Sequence, residues 1–324
     1  MVKDIAWIVS IDNPERVSGY RYNAIIPANE LSGQVLRFGP DDAPDEFLAE
    51  HDVKEIVLCK PIDAIDGQSN GGSFVGLAEE AKSKGVKVIF HMSDWHFENP
   101  NYRQLSKICD QVVVQTKWLA EKVIEIFGVT PAIIEEPFEG PRDKARFKPG
   151  NSMKLLWFGH SGNLDTLEIG LEQLQRVTIP YQLAIVTNDI KAADKVFLAA
   201  PKTRSLRNCE IIPFDLVAQQ KQVKRCDVVL IPSHWGNDKI VKGHNRLVQS
   251  IHGGRIAVAF PLPQYKELDK FCICCEDMGA GVHWAAENRR TAFQRIKSGQ
   301  VYIDQRFSPG AVAAKWKETI NDIG

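Results

Sequence analysis

Lys154-Leu155-Leu156-Trp157-Phe158-Gly159-His160-Ser161-Gly162-Asn163 restarts a strand–helix rhythm that an irregular stretch has just interrupted, and this restart decides the fold. The run from Lys154 to Phe158 is apolar almost throughout, too short for a helix and closed by a glycine turn. It reads as a strand buried on both faces, the kind found in parallel sheets. Ahead of it, Glu139 to Ser152 carries Gly140, Pro141, Pro149 and Gly150 among charged residues, a linker composition.

Working outward, the same alternation fills both sides. Upstream, strands are expected over 4–10, 53–59, 86–91 and 111–115, with helices over 22–31, 76–83, 102–108 and 118–127. Downstream, strands are expected over 154–159, 182–186, 210–212, 228–231, 256–260 and 271–274. Helices are expected there over 166–175, 217–224, 245–252, 284–298 and 309–320. Apolar strands separated by helical crossovers mean parallel sheets covered on both faces. The expectation is therefore α/β: an N-terminal Rossmann-like domain over 1–140, a linker over 141–152 and a C-terminal Rossmann-like domain over 153–324. The last helix is a candidate to pack back on the first domain. Ligands on such sheets sit beyond the carboxyl ends of the strands, so two doubly wound domains facing each other would enclose a cleft.

Composition agrees. The chain has 324 residues, about twice an average domain, with 44% apolar and 25% charged side chains and a net charge of -1. These values exclude a disordered chain, a fibre and a supercharged nucleic-acid binder. Residues 1–150 hold 17 basic against 24 acidic side chains, net -7, and residues 151–324 hold 23 against 17, net +6. A basic second half suits a polyanionic ligand. No apolar run reaches the roughly 20 residues of a membrane span. Met1-Val2-Lys3-Asp4 places acid and base where a signal peptide is apolar, so the expected location is cytoplasmic. Seven cysteines, mostly in apolar runs, read as reduced thiols. Cys272-Ile273-Cys274-Cys275 lacks a second Cys or His pair at zinc spacing, so no metal is expected.

Two segments carry candidate chemistry in the second half. Gly159 and Gly162, around His160 and Ser161 and followed by Asn163, let the backbone approach a phosphate where the next helix begins. The alternative is a plain tight turn. Lys239-Ile240-Val241-Lys242-Gly243-His244-Asn245-Arg246 precedes an apolar helix and Gly253-Gly254. Lys242 and Arg246, four apart near a helix start, are expected to point the same way and clamp a diphosphate. The alternative is a solvated basic face. In the first half, Gly19, Tyr20 and Arg21 form a candidate loop, with Arg21 able to reach a phosphate or acidic acceptor. Asp94 and His96 follow a strand at its carboxyl end and are candidates to orient or deprotonate a hydroxyl. The loop around Gln68, Asn70 and Gly71-Gly72-Ser73 is either an acceptor gate or a connector.

The order of Trp157-Phe158-Gly159, Cys226-Asp227-Val228-Val229-Leu230-Ile231-Pro232-Ser233, Asn245-Arg246, Ala257-Val258-Ala259 and Pro261-Leu262-Pro263 with Tyr265 and Leu268 resembles the C-terminal half of GT-B glycosyltransferases. It is most similar to the retaining, nucleotide-sugar-dependent group (group 1, family 4-like). Cys109-Asp110-Gln111-Val112-Val113-Val114-Gln115-Thr116 with Leu119, then Ile133-Ile134-Glu135-Glu136-Pro137-Phe138, looks like the end of that family's N-terminal domain. The resemblance implies a nucleotide-sugar held by the second domain and an acceptor held by the first: a glycan, a lipid-linked glycan or another hydroxyl. A lipid-linked acceptor would add peripheral membrane contact. Gly159, His160, Ser161, Asn163, Lys242, Asn245 and Arg246 would bind the donor, Gly19, Tyr20 and Arg21 would lie beneath it, and no metal or other cofactor is implied.

The chain departs from that family at two places. The acidic pair usual in the group falls at Val241 and Gln249, and the basic residue of its first glycine loop is replaced by His160 or Asn163. A scaffold that binds a nucleotide-sugar or a partner without transfer is therefore the main rival, with a nucleotide-sugar epimerase behind it. A nicotinamide dehydrogenase is disfavoured because neither half has the full glycine fingerprint. Near-neutral charge and an acidic first half argue against nucleic acid.

Overall fold

The computed structural model describes residues 4–61 and 71–323, so Gln68 and Asn70 of the candidate gate lie outside the described residues. The chain divides into two compact units. The first comprises Met1–Pro137, Val241–Gly243 and Phe307–Gly324, and the second Phe138–Ile240 and His244–Arg306.

Among the described residues of the first unit, six parallel strands lie in the order β2-β1-β3-β4-β5-β6. They are β1 Ile5–Val9, β2 Gln34–Arg37, β3 Glu55–Cys59, β4 Lys87–Met92, β5 Gln111–Val114 and β6 Ala132–Ile133. The central strands are buried along their length because helices cover both faces. Register is set by apolar pairs such as Trp7↔Val57 and Leu58↔Phe90. Trp7, Val9, Val57, Ile89 and Val113 build a core that helix Pro309–Asp322 completes with Val312 and Trp316. That helix opens on Ser308, whose hydroxyl accepts from Ala311 N at 3.3 Å.

The second unit has six parallel strands in the order β12-β11-β10-β7-β8-β9. They are β7 Met153–Phe158, β8 Tyr181–Thr187, β9 Leu206–Pro213, β10 Val228–Ile231, β11 Ile256–Ala259 and β12 Ile273–Cys274. This is a doubly wound sheet whose strand order reverses between β7 and β10. The irregular stretch that reads as a linker belongs to this unit. The Arg255 guanidinium donates to the carbonyls of Lys144, Gly253, Gly254 and Cys226 and pairs with Asp143 at 3.0 Å. Gly254 turns the chain into β11 at φ 71°, and a side chain there would overlap the Lys144 carbonyl.

Several expectations need correction: helices Pro44–His51, Asn237–Ile240 and Pro263–Lys266 and strand β6 are additional, and Gly71-Gly72-Ser73 opens helix Gly71–Ser83 instead of forming a loop. β2 is additional, a half-buried edge strand whose four residues give too short a pattern to register. Helix Ile190–Ala199, capped by Asp189, is likewise additional. The single helix over 284–298 is two, Met278–Glu287 and Arg289–Arg306, parted at Asn288, whose amide turns back to Trp284 O at 2.9 Å. Gly19, Tyr20 and Arg21 are not in a loop. The helix starts at Ser18 and winds into a π-turn over Arg21–Ile25, with Tyr20 and Tyr22 both buried.

Candidate functional site

In each unit the reversal of strand order leaves a crevice at the carboxyl ends of the strands, the usual place for a ligand. In the first unit the reversal falls at β1 and β3. Ser10 Oγ meets Tyr20 Oη at 2.7 Å, and Tyr20 Oη donates to the Lys60 carbonyl at 3.3 Å. Gly19 lies over the Lys60 side chain. Arg21 is buried, with Nη1 donating to Glu15 O at 3.0 Å, so it is turned back into its own segment.

The centre of this crevice is a chain of charges. Lys60 Nζ binds Asp94 Oδ2 at 2.8 Å and Lys242 Nζ binds Asp94 Oδ1 at 2.5 Å. Burial alone would raise the Asp94 pKa, but the two ammonium groups outweigh it and hold the carboxyl well below the usual range. Asp94 is thus a permanent anion and a poor proton acceptor, suited to positioning rather than to the base role that its location suggests. His96 is kept neutral by burial, and its Nε2 is buried with no partner among the described residues. Its ring leans on Tyr102 at 5.1 Å. His91 is fully buried and pushed down to about 3 by burial and then by Lys60.

Glu136 completes the cluster. Its carboxyl Oε1 accepts from Asn23 Nδ2 at 3.4 Å. Burial, and then the Asp94 charge, push it up to about 7, against the opposing pull of Asn23, Lys60 and Lys242. Lys60 and Glu136 are functional candidates that the sequence reading passed over. Lys60 follows an apolar strand at its carboxyl end, the same signal that singles out Asp94.

In the second unit the reversal falls at β7 and β10. The glycine loop after β7 is there, but its amides are occupied. Gly159 N donates to Val186 O at 3.1 Å, Ser161 N to Asn188 Oδ1 at 2.7 Å and Gly162 N to His160 Nδ1 at 3.0 Å. An anion reaching this loop must displace the His160 ring or the Asn188 amide. Asn163 ends the turn, and helix Leu164–Leu174 begins immediately after it.

Across the reversal point Lys239, only 5% exposed, reaches Asp165 at 3.2 Å and Asn163 Oδ1 at 3.4 Å. His234 Nε2 meets the same Asp165 at 3.0 Å. Burial raises the Asp165 pKa, and His234 and Lys239 together lower it further than that. Trp235 beside them is 55% exposed, with Phe260 edge-on at 5.3 Å. Lys239, Asp165 and Trp235 were not singled out in the sequence, although Lys239 stands in the quoted basic run.

Helix Asn245–His252 begins at Asn245, with Arg246 as its second residue. Lys242 stands outside it and belongs to the first unit, so the spacing of four does not place the two cations on one helix face. The difference arises because Val241 is fully buried and its carbonyl accepts from Thr116 Oγ1 at 3.3 Å, seating this segment in the first unit. Arg246 Nη1 is buried and has no partner among the described residues. His244, just before the helix, lies 3.5 Å from Glu267, which also takes Arg306 at 2.9 Å. Those two, His244 foremost, hold Glu267 down at about 2. Gln249, at the second position of the missing acidic pair, is buried in the helix.

Among the described residues no group of three or more His, Cys, Asp or Glu is placed to hold a metal. All seven cysteines are free, with Cys272 and Cys274 sulfurs 3.5 Å apart. No described helix is long and apolar enough to cross a membrane.

No family model and no curated protein matches the sequence. Solved structures do. HepE of Anabaena, crystallised with UDP and glucose, superposes with a TM-score of 0.72 at 12% identity, over 98% of this chain and 99% of that one. A glycosyltransferase of Rickettsia africae gives 0.68 at 10% identity, over 99% and 98% of the two chains. The lipopolysaccharide outer core galactosyltransferase WaaB gives 0.65 at 11% identity, over 98% and 99%. At these identities the likeness defines the architecture: the chain has the GT-B fold, two Rossmann-like domains, shared with glycosyltransferases.

Proposed function

We propose that the protein transfers a sugar from a nucleotide-sugar to an acceptor hydroxyl, with the donor held by the second unit and the acceptor by the first. The observation that carries this reading is Arg246 at the opening of helix Asn245–His252, with a guanidinium nitrogen buried and without a partner among the described residues. A buried donor left unsatisfied costs free energy until a ligand supplies an acceptor. A diphosphate suits it: it is acceptor-rich, carries charge that matches the guanidinium fork, and gains negative charge as the glycosidic bond breaks. The Asn245 side chain, next to Arg246 at the helix start, acts on the same group. Gly159, His160, Ser161 and Asn163 line the approach once the His160–Gly162 and Asn188–Ser161 bonds open. With the guanidinium neutralising the leaving group, transfer proceeds without a metal.

The acceptor is a glycan, a lipid-linked glycan or another hydroxyl compound, oriented by Asp94 and His96. The HepE complex contains UDP and glucose, and another GT-B structure is an α-glucosyltransferase bound to UDP-glucose and abasic DNA. UDP-sugars are therefore the first donors to test.

The test is a thermal-shift screen against UDP-, GDP-, ADP- and dTDP-sugars, with and without chelator. Binding raises the melting temperature by mass action, and Arg246→Ala is expected to remove most of that rise. No response to any of these donors would overturn the reading. Non-acidic Val241 and Gln249 favour the rival, a scaffold that binds without transfer. It prevails if a donor binds but neither transfer nor hydrolysis follows. Conversion of the donor alone would indicate an epimerase.

A further inference from the structure

Three of the seven cysteines stand together in the second unit as Cys272-Ile273-Cys274-Cys275, at one edge of its sheet. Strand β12 pairs with β11 through Val258↔Ile273 and Ala259↔Cys274, and no described strand lies on its other side. Cys272 and Cys274 flank Ile273, so their side chains share one face, and their sulfurs lie 3.5 Å apart. Cys275 faces the other way, its Sγ 3.2 Å from Asp277 O and close to Gly281. The Arg295 guanidinium donates to Cys272 O and, at 3.4 Å, to Asp269 O. It ties the backbone of the pair to helix Arg289–Arg306.

Two residues apart on a strand, Cα atoms are about 6.6 Å from each other, near the upper limit of what a disulfide spans. The sulfurs must approach by about 1.5 Å more to bond. An edge strand of two residues can shorten by that much without moving a strand on its outer side. A bond formed at that limit is strained, and strained disulfides are the readily reduced ones. The two thiols also differ as such a pair needs. Cys274 is partly exposed and Cys272 is fully buried. Once Cys274 loses its proton, Cys272 donates to the thiolate. That hydrogen bond lowers the Cys274 pKa against the opposing effect of burial, and pushes that of Cys272 well up. Lys266 and Arg295 add smaller favourable charge. Burial pushes up Cys59, Cys109, Cys209, Cys226 and Cys275 instead.

We propose that Cys272 and Cys274 form a reversible dithiol–disulfide pair, in which a peroxide oxidises Cys274 and Cys272 resolves it. The Cys274 thiolate attacks one peroxide oxygen, so an S–O bond forms and the O–O bond breaks. Hydroxide leaves and becomes water with the proton that Cys274 gave up. The peroxide gains two electrons and the sulfur is oxidised to a sulfenic acid. Cys272 Sγ then attacks that sulfur, forming the S–S bond and breaking the S–O bond. The Cys272 proton leaves with the hydroxyl group as a second water. Two molecules of a small thiol such as glutathione, themselves oxidised to their disulfide, restore both cysteines by exchange. The pair is contained in the second unit and does not rest on the nucleotide-sugar reading.

The experiment treats the reduced chain with hydrogen peroxide, blocks the remaining thiols with N-ethylmaleimide and maps the peptides by mass spectrometry. The wild type is expected to lose two of its seven thiols, joined as a Cys272–Cys274 disulfide, and to regain both with glutathione. C272S should stop at a sulfenic acid on Cys274, captured by dimedone. In C274S, thiol loss from this segment should be at least about tenfold slower. Circular dichroism checks the fold of each variant, and the wild-type map decides alone if either fails to fold. Seven free thiols after peroxide would refute the inference. So would a bridge to any other cysteine, a bridge that glutathione leaves intact, or Cys274 oxidised further with Cys272 still free.

Discussion

Trp7 of the first strand and Trp316 of the last helix meet edge to face, their ring centroids 6.1 Å apart, with at most 1% of either side chain exposed. This pair closes the core of the first unit across nearly the whole length of the chain. Trp316→Ala should cost about 3–5 kcal/mol of unfolding free energy in the first unit, from lost burial and the cavity left behind. Urea denaturation followed by tryptophan fluorescence measures it. A loss below about 1 kcal/mol would mean that the helix is peripheral to this core.

Arg255 predicts a second stability effect. Its guanidinium is 2% exposed and serves several backbone carbonyls and Asp143. Arg255→Met should destabilise the second unit by about 3 kcal/mol, because it leaves Asp143 and those carbonyls unpaired. Arg255→Lys should recover little, since an ammonium group lacks the planar five-donor fork.

Stability should also depend on pH in a way that separates two buried groups. The Glu136 pKa is raised, so its protonated folded form is favoured below the unfolded value of 4.5, and that advantage is lost as pH rises to about 7. His91 acts oppositely. Its pKa is depressed to about 3, so the neutral folded form gains stability as pH rises toward 6.5. The difference between wild type and Glu136→Gln isolates the first. The substitution should stabilise the protein by about 2 kcal/mol above pH 7 relative to its effect near pH 4.5. Melting temperature against pH for the two proteins decides it, and parallel curves would contradict the raised pKa.

Gly243→Ala tests the contact between Gly243 and Glu136. The added methyl overlaps Oε2, so a cost of about 1–3 kcal/mol is expected. In a double-mutant cycle with Glu136→Ala most of that cost should vanish. Additive effects would show that the methyl strains the backbone instead.

Much of the architecture was legible because Ile5–Val9, Lys87–Met92, Met153–Phe158 and Val228–Ile231 are apolar runs of strand length, and Gly128 stops a helix at φ 74°. The edge strand Gln34–Arg37 was not, since it is half exposed and contains two apolar residues. The candidate site was legible in part. Asp94 and Arg246 stand where strand ends and helix starts place them. Lys60, Glu136 and Lys239 acquire their meaning only from partners far along the chain: Lys60 from Asp94, Glu136 from Asn23, Lys239 from Asp165. The helical spacing of Lys242 and Arg246 misled because Val241 is buried in the first unit, a tertiary preference that no local period encodes.

Because residues 307–324 complete the first unit, that unit emerges from the ribosome without the helix that covers Trp7. Residues 138–240 and 244–306 are all synthesised in between, so the later unit has its full set of strands while the earlier one still exposes an unfinished apolar face. Vectorial synthesis therefore makes the first unit the last to mature, although most of its strands are made first.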